Sequence, residues 1–188
     1  MAQINDNLVL VCGESTGGKS ASLRDIPNPE GVMYLNCEAG KKLPFPAKFK
    51  QFVITDPLQV YSYFAAAEDP KNNKCHTVIT DSLTYMMDMY ESMHVLTATD
   101  TQKAWQSFQQ FFKNLMQSYV AKSTKNVIFT AHTLSVHNEA DMIMEKKVPV
   151  KGALKNVGIE SYFSVVVAAK KMPLQLLEDC QNDLLVIT

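Results

Sequence analysis

Apolar positions along the chain follow two rhythms. Short, nearly unbroken runs at Leu8–Val11, Val32–Asn36, Phe52–Thr55, His76–Ser82 and Asn126–His132 have the length and composition of strands buried on both faces. Longer stretches between them carry helical spacing. Gln102–Lys122 is the clearest, with Trp105, Phe108, Phe111, Phe112, Leu115, Met116 and Tyr119 three and four apart, which predicts one buried helix face. Leu58–Glu68 follows Asp56-Pro57, an N-cap and a proline suited to the first helical position. Leu83–Val95 completes the set, and its Met86, Met87, Met89 and Met93 read as flexible core filling. Strands alternating with helices predict an α/β fold around a mostly parallel sheet flanked by helices.

The remaining stretches are less regular. Lys19–Arg24 has room for only a short helix, because Ile26-Pro27-Asn28-Pro29 cannot continue it. Lys41–Pro46 is a proline-punctuated connection, and Thr133–Gly158 lacks apolar periodicity and reads as a mobile loop. Tyr162–Ala169 is rich in β-branched residues and predicts a strand, with Leu184–Thr188 as its antiparallel partner. Ending on an apolar run fits a truncated product or an edge strand left for a partner. A length of 188 residues suits one domain covering the whole chain.

Polar residues terminate the strands, and in a parallel sheet those ends lie along one edge. Gly13–Ser20, Glu38, Asp81 and His132 each follow a predicted strand, so four strand ends converge. The first of them, Gly13-Glu14-Ser15-Thr16-Gly17-Gly18-Lys19-Ser20, has the spacing G-x-x-x-x-G-K-[ST]. Its glycines allow backbone N–H groups to turn inward around a phosphate, with Ala21 continuing the loop. Lys19 would reach the outer phosphates, Ser20 would offer a hydroxyl to Mg²⁺, and a following helix would add its positive end. Asp81 is the second candidate for the metal's shell, since a carboxylate ending the neighbouring strand can hold Mg²⁺; capping the helix that starts near Leu83 is a lesser reading, compatible with that role.

Charge and cysteine usage narrow the setting. A net charge of −1 gives no global attraction to nucleic acid, so any such contact needs a local patch. Residues 122–171 hold eight lysines against four acids, and Lys146, Lys147, Lys151 and Lys155 within it are candidates for phosphate contacts or for action across a subunit interface. Arg24 is the only arginine, so any cationic clamp within the chain must be a lysine. Cys12, Cys37, Cys75 and Cys180 form no C-x-x-C pair and no apolar run approaches the roughly 20 residues of a membrane span, which predicts a soluble cytoplasmic protein with free thiols.

Taken together, Gly13–Ser20 with Ala21-Ser22-Leu23-Arg24, Lys42-Leu43-Pro44-Phe45, Val78–Ser82, Phe129–His132 and Lys151–Lys155 resemble the RecA-like P-loop ATPases. The chain is most similar to the phage-encoded RecA-like nucleotide-binding or single-strand annealing ATPases. That resemblance implies ATP and Mg²⁺ as cofactors and Glu38 as the residue that activates water. It also implies His132 as a sensor of the terminal phosphate and single-stranded DNA at the segment that follows it. A homo-oligomeric ring or filament, a single-strand DNA-binding protein as partner and a role in phage recombination, annealing or replication within the host cytoplasm are further implications. Two other functions fit the same phosphate loop: a nucleoside or nucleotide kinase, and a binding module switched by nucleotide without hydrolysis.

Overall fold

A computed structural model describes residues 5–138, 142–156 and 158–171. Six strands form one sheet in the order β3-β2-β4-β5-β1-β8. They are β1 (Leu8–Gly13), β2 (Val32–Asn36), β3 (Lys50–Val53), β4 (Thr77–Asp81), β5 (Asn126–His132) and β8 (Val165–Ala168). Every pairing in this sheet is parallel. Three helices connect the strands: α1 (Gln59–Glu68), α2 (Leu83–Tyr90) and α3 (Thr101–Asn114). α2 and α3 continue into wider π-type turns, Glu91–Val95 and Leu115–Val120, so both long apolar patterns run as helix nearly to their expected ends.

Alternation along the strands divides the core. Leu8, Leu10, Met33, Leu35, Val78, Val127 and Phe129 point to one face and pack against Phe64 of α1, Met86 of α2 and Phe108 and Phe112 of α3. Val32, Tyr34 and Ile79 point to the other face, covered among the described residues by Leu23, Ile26, Phe49 and the irregular segment from Leu43 to Ala47. A thin cover on that second face leaves room at the strand ends. Ser82 caps α2, its hydroxyl accepting from the Tyr85 N–H at 3.5 Å, so Asp81 does not act as the helix cap.

Several expectations need correction. Lys19–Arg24 is not a helix; Ala21–Leu23 forms a single 3₁₀ turn, too short to present a helix dipole to an anion. β3 lies at Lys50–Val53, two residues before the expected Phe52–Thr55, because the pairing places Lys50 opposite Met33. Asp56 sits just ahead of α1, its carboxylate accepting from the Leu58 N–H at 2.9 Å, and Leu58 occupies the cap position itself.

Thr133–Gly158 contains an antiparallel hairpin, β6 (Leu134–Asn138) with β7 (Ile143–Lys147), and a 3₁₀ turn at Gly152–Asn156. Alternation is present in Leu134 and Val136, but with both faces exposed the apolar contrast that marks a strand is weak. Tyr162–Ala169 splits into a 3₁₀ turn at Ile159–Tyr162 and the shorter β8, which joins β1 in parallel. Its expected antiparallel partner, Leu184–Thr188, lies outside the described residues.

Candidate nucleotide site

Register builds the site. Gly13 pairs with His132 across β1 and β5, and Asn36 pairs with Asp81 across β2 and β4. Tyr34, Asp81, Thr130 and His132 therefore project from one face, the thinly covered one, at the carboxyl edge of the sheet. A cleft of about 320 Å³ opens there, lined by Gly18, Lys19, Ser20, Glu38, Asp81 and His132, with Lys41, Lys42, Leu43 and Pro44 along its rim.

The phosphate loop holds its shape by two different demands on glycine. A Cβ on Gly13 would stand 2.4 Å from the Ala169 carbonyl oxygen, so close packing of the loop against the end of β8 excludes a side chain. Gly18 has φ +102° and a Cβ there would meet nothing within 4 Å; its demand is conformational and the space beside it is the cleft.

Lys19 is only 5% exposed. Its three N–H bonds meet three acceptors, the carbonyls of Gly13 and Glu14 at 2.9 Å each and Nδ1 of His132 at 3.3 Å. An ammonium can only donate, so Nδ1 accepts and the ring proton sits on Nε2, which donates to Oε1 of Glu38 at 3.2 Å. Oε2 of Glu38 accepts from Nζ of Lys41 at 2.9 Å. Four side chains thus form one relay, Lys19–His132–Glu38–Lys41. Burial pulls the Lys19 ammonium below its ordinary pKa, with Glu38 and Asp81 opposing. Burial alone would raise Glu38, but Lys41 and His132 outweigh it and hold the carboxyl below its usual range.

Asp81 is 2% exposed and receives three hydroxyl donors. Ser20 and Tyr34 donate to Oδ2 at 2.9 and 2.6 Å, and Thr130 donates to Oδ1. Such bonding satisfies a buried carboxylate without an ion pair. Tyr34 is held fully protonated by burial and by the carboxylate beside it, both of which push its phenol far up. Cys37 is likewise inert, its thiol pushed up to about 12 by burial.

Sequence reasoning placed Gly13–Ala21, Glu38, Asp81 and His132 at one edge; Thr16–Ala21, Glu38, Asp81 and His132 do line one cleft, whereas the predicted Glu14 and Ser15 turn to a separate pocket beside Lys146. It missed Tyr34, Thr130 and Lys41. Parity could have found the first two, since Tyr34 lies two residues before Asn36 and Thr130 two before His132 on strands already assigned. None of the four predicted lysines lines this cleft: Lys146 pairs with Glu14 on the outer side of the phosphate loop at 2.7 Å, Lys147 with Glu145, Lys151 with Glu91 at 2.6 Å, and Lys155 is exposed.

The chemistry of these donors suits a magnesium nucleotide. Ser20 and Asp81 bring hard oxygen atoms together, and the open space beside Gly18 faces them. Among the described residues no three His, Cys, Asp or Glu side chains cluster as a metal cage. Mg²⁺ needs none, being held by one or two protein oxygens and the substrate's phosphates.

A parallel α/β sheet with a phosphate loop after β1 and an aspartate ending β4 defines the P-loop NTPase class. Residues 5–171 match the AAA domain family, and the chain belongs to that family. Membership carries an ATPase-type, nucleotide-binding function, with a nucleotide and Mg²⁺ as the groups such domains use. No curated protein matches the chain. No helix among the described residues is long and apolar enough to cross a membrane.

Proposed function

We propose that the chain is a Mg²⁺-dependent ATPase of RecA-like type that couples hydrolysis to single-stranded DNA, in recombination, annealing or replication of phage DNA. The observation that supports it best is the relay from Lys19 through His132 to Glu38, which joins a phosphate-binding ammonium to a carboxylate within one cleft. Backbone N–H groups of 13–20 and the Lys19 ammonium bind the phosphates. Ser20 and Asp81 hold Mg²⁺, which when bound offsets phosphate charge and orients the oxygens.

Glu38 orients a water molecule on the terminal phosphorus. As the new P–O bond forms and the bond to the ADP oxygen breaks, the water's proton passes to the Glu38 carboxylate, leaving inorganic phosphate and ADP. His132 touches both Lys19 and Glu38, so a shift of Lys19 towards phosphate changes the hydrogen bonds holding Glu38. The hairpin β6–β7 follows His132 after one residue, a position that supports reading it as the element through which this change reaches DNA. A homo-oligomer and a single-strand DNA-binding protein are the proposed partners.

The kinase alternative is weaker, because Arg24 faces solvent against Asp25 at 3.1 Å and supplies no cationic lid. Phosphate release by the full chain, by Lys19→Ala and by Glu38→Gln, with and without single-stranded DNA, tests the proposal. Loss of turnover in both variants supports it; unchanged turnover in both rejects it.

A further inference from the structure

Lys41 stands at the far end of the relay and its root is unusually fixed. Ala39 and Gly40 both have positive φ, 51° and 77°, which folds the chain tightly after Glu38. The Lys41 N–H donates to the Glu38 carbonyl at 3.0 Å, and the Lys41 carbonyl accepts from Nδ2 of Asn36 at 2.8 Å. Oδ1 of the same Asn36 accepts from the Glu38 N–H at 2.9 Å. One buried asparagine therefore clamps both ends of the turn and aims Lys41 at the cleft.

The ammonium itself lies mostly in solvent. Its side chain is 68% exposed, and among the described residues its ammonium bonds to Oε2 of Glu38 alone. All three Lys19 protons are committed, whereas among the described residues two of those on Lys41 meet no protein acceptor. The sole arginine is held outside the cleft by Asp25. Lys42 lines the same cleft, but among the described residues it is Lys41 whose ammonium is bonded to Glu38.

Building on the ATPase reading, we propose that Lys41 is a catalytic residue acting in cis, a cation that leaves Glu38 for the phosphoryl group being transferred. Charge decides the exchange, because a terminal phosphate carries more negative charge than one carboxylate and offers more acceptor oxygens. Departure of Lys41 has two effects. It neutralises charge on the transferring group, and it returns to Glu38 the basicity that an ion-paired carboxylate lacks. Glu38 is thereby kept from activating water until a triphosphate is in place.

Steady-state hydrolysis and equilibrium binding of ATP and ADP by the full chain test this, using wild type, Lys41→Ala and Lys41→Arg, with Lys48→Ala as a control at an exposed lysine paired with Glu30. Lys41→Ala is expected to lower kcat about 100-fold, the scale of losing one charge-stabilising group, while Lys41→Arg recovers at least about a tenth of wild-type kcat. Preference for ATP over ADP should fall about tenfold in Lys41→Ala alone. A Lys41→Ala protein with kcat within about threefold of wild type, or with the wild-type ATP:ADP preference, overturns the proposal. If wild type neither binds nor hydrolyses ATP, the ATPase reading itself fails; wild-type turnover beside an unaffected Lys41→Ala sinks only the role of Lys41.

Discussion

The phenol of Tyr34 donates to Oδ2 of Asp81 at 2.6 Å, the same oxygen that accepts from Ser20. Tyr34 is on β2 and Asp81 ends β4, so this bond ties two neighbouring strands directly beneath the phosphate loop. Removing the phenol leaves Ser20 and Thr130 as the hydroxyls on the carboxylate. Tyr34→Phe is expected to cost about 1–2 kcal/mol of folding stability, the cost of losing a buried bond to a charged group. Urea denaturation measures this directly, and an unchanged midpoint would mean that the bond contributes nothing.

Glu38 gives a pH signature. Its carboxyl is held below the ordinary value of 4.5, so the folded state binds a proton less readily than the unfolded chain. The resulting stability is fully present above that ordinary value and disappears as pH falls through the lower, folded one. Other lowered acids, Glu68 among them, titrate nearby, so the informative quantity is wild type minus Glu38→Gln. This difference should be flat from pH 7 to about 5 and shrink below about 4.5 in urea titrations. A difference that grows on acidification contradicts the ion-paired arrangement.

Gly13 and Gly18 should fail for different reasons. Gly13→Ala forces the end of β8 away from the loop, because the new carbon meets backbone oxygen at 2.4 Å. A stability loss of about 1–3 kcal/mol is expected. Gly18→Ala has space but needs a left-handed backbone, costing about 1–2 kcal/mol, and its methyl enters the cleft. Thermal unfolding paired with ATP binding separates them: Gly18→Ala should lose binding out of proportion to its stability.

Contact with DNA can be read from salt dependence. Lys146, Lys147 and Lys151 are already paired with acids, so phosphate must compete for them, whereas Lys155 is exposed. If single-stranded DNA lies here, Lys155→Ala should reduce the slope of log K against log salt by about 0.7. Absence of any binding at about 50 mM salt would remove DNA from the proposed function. The Lys146–Glu14 pair is exposed on both sides, so Lys146→Ala should change folding stability by less than about 1 kcal/mol.

Sequence alone determined what local pattern can determine. Unbroken apolar runs gave β1, β2, β4 and β5, three- and four-residue spacing gave α3, and strand-end polarity gathered Lys19, Glu38, Asp81 and His132 at one edge. Period and polarity are written in neighbouring residues, so they survive without coordinates. Tertiary structure alone decided which residues meet across strands. Register set Tyr34 and Thr130 on Asp81, an asparagine clamp turned Lys41 towards Glu38, and pairing with β7 made β6 a strand where the exposed sequence shows little contrast. Those contacts join residues from 3 to 49 positions apart and depend on strand order, face and turn geometry, none of which a one-dimensional pattern contains.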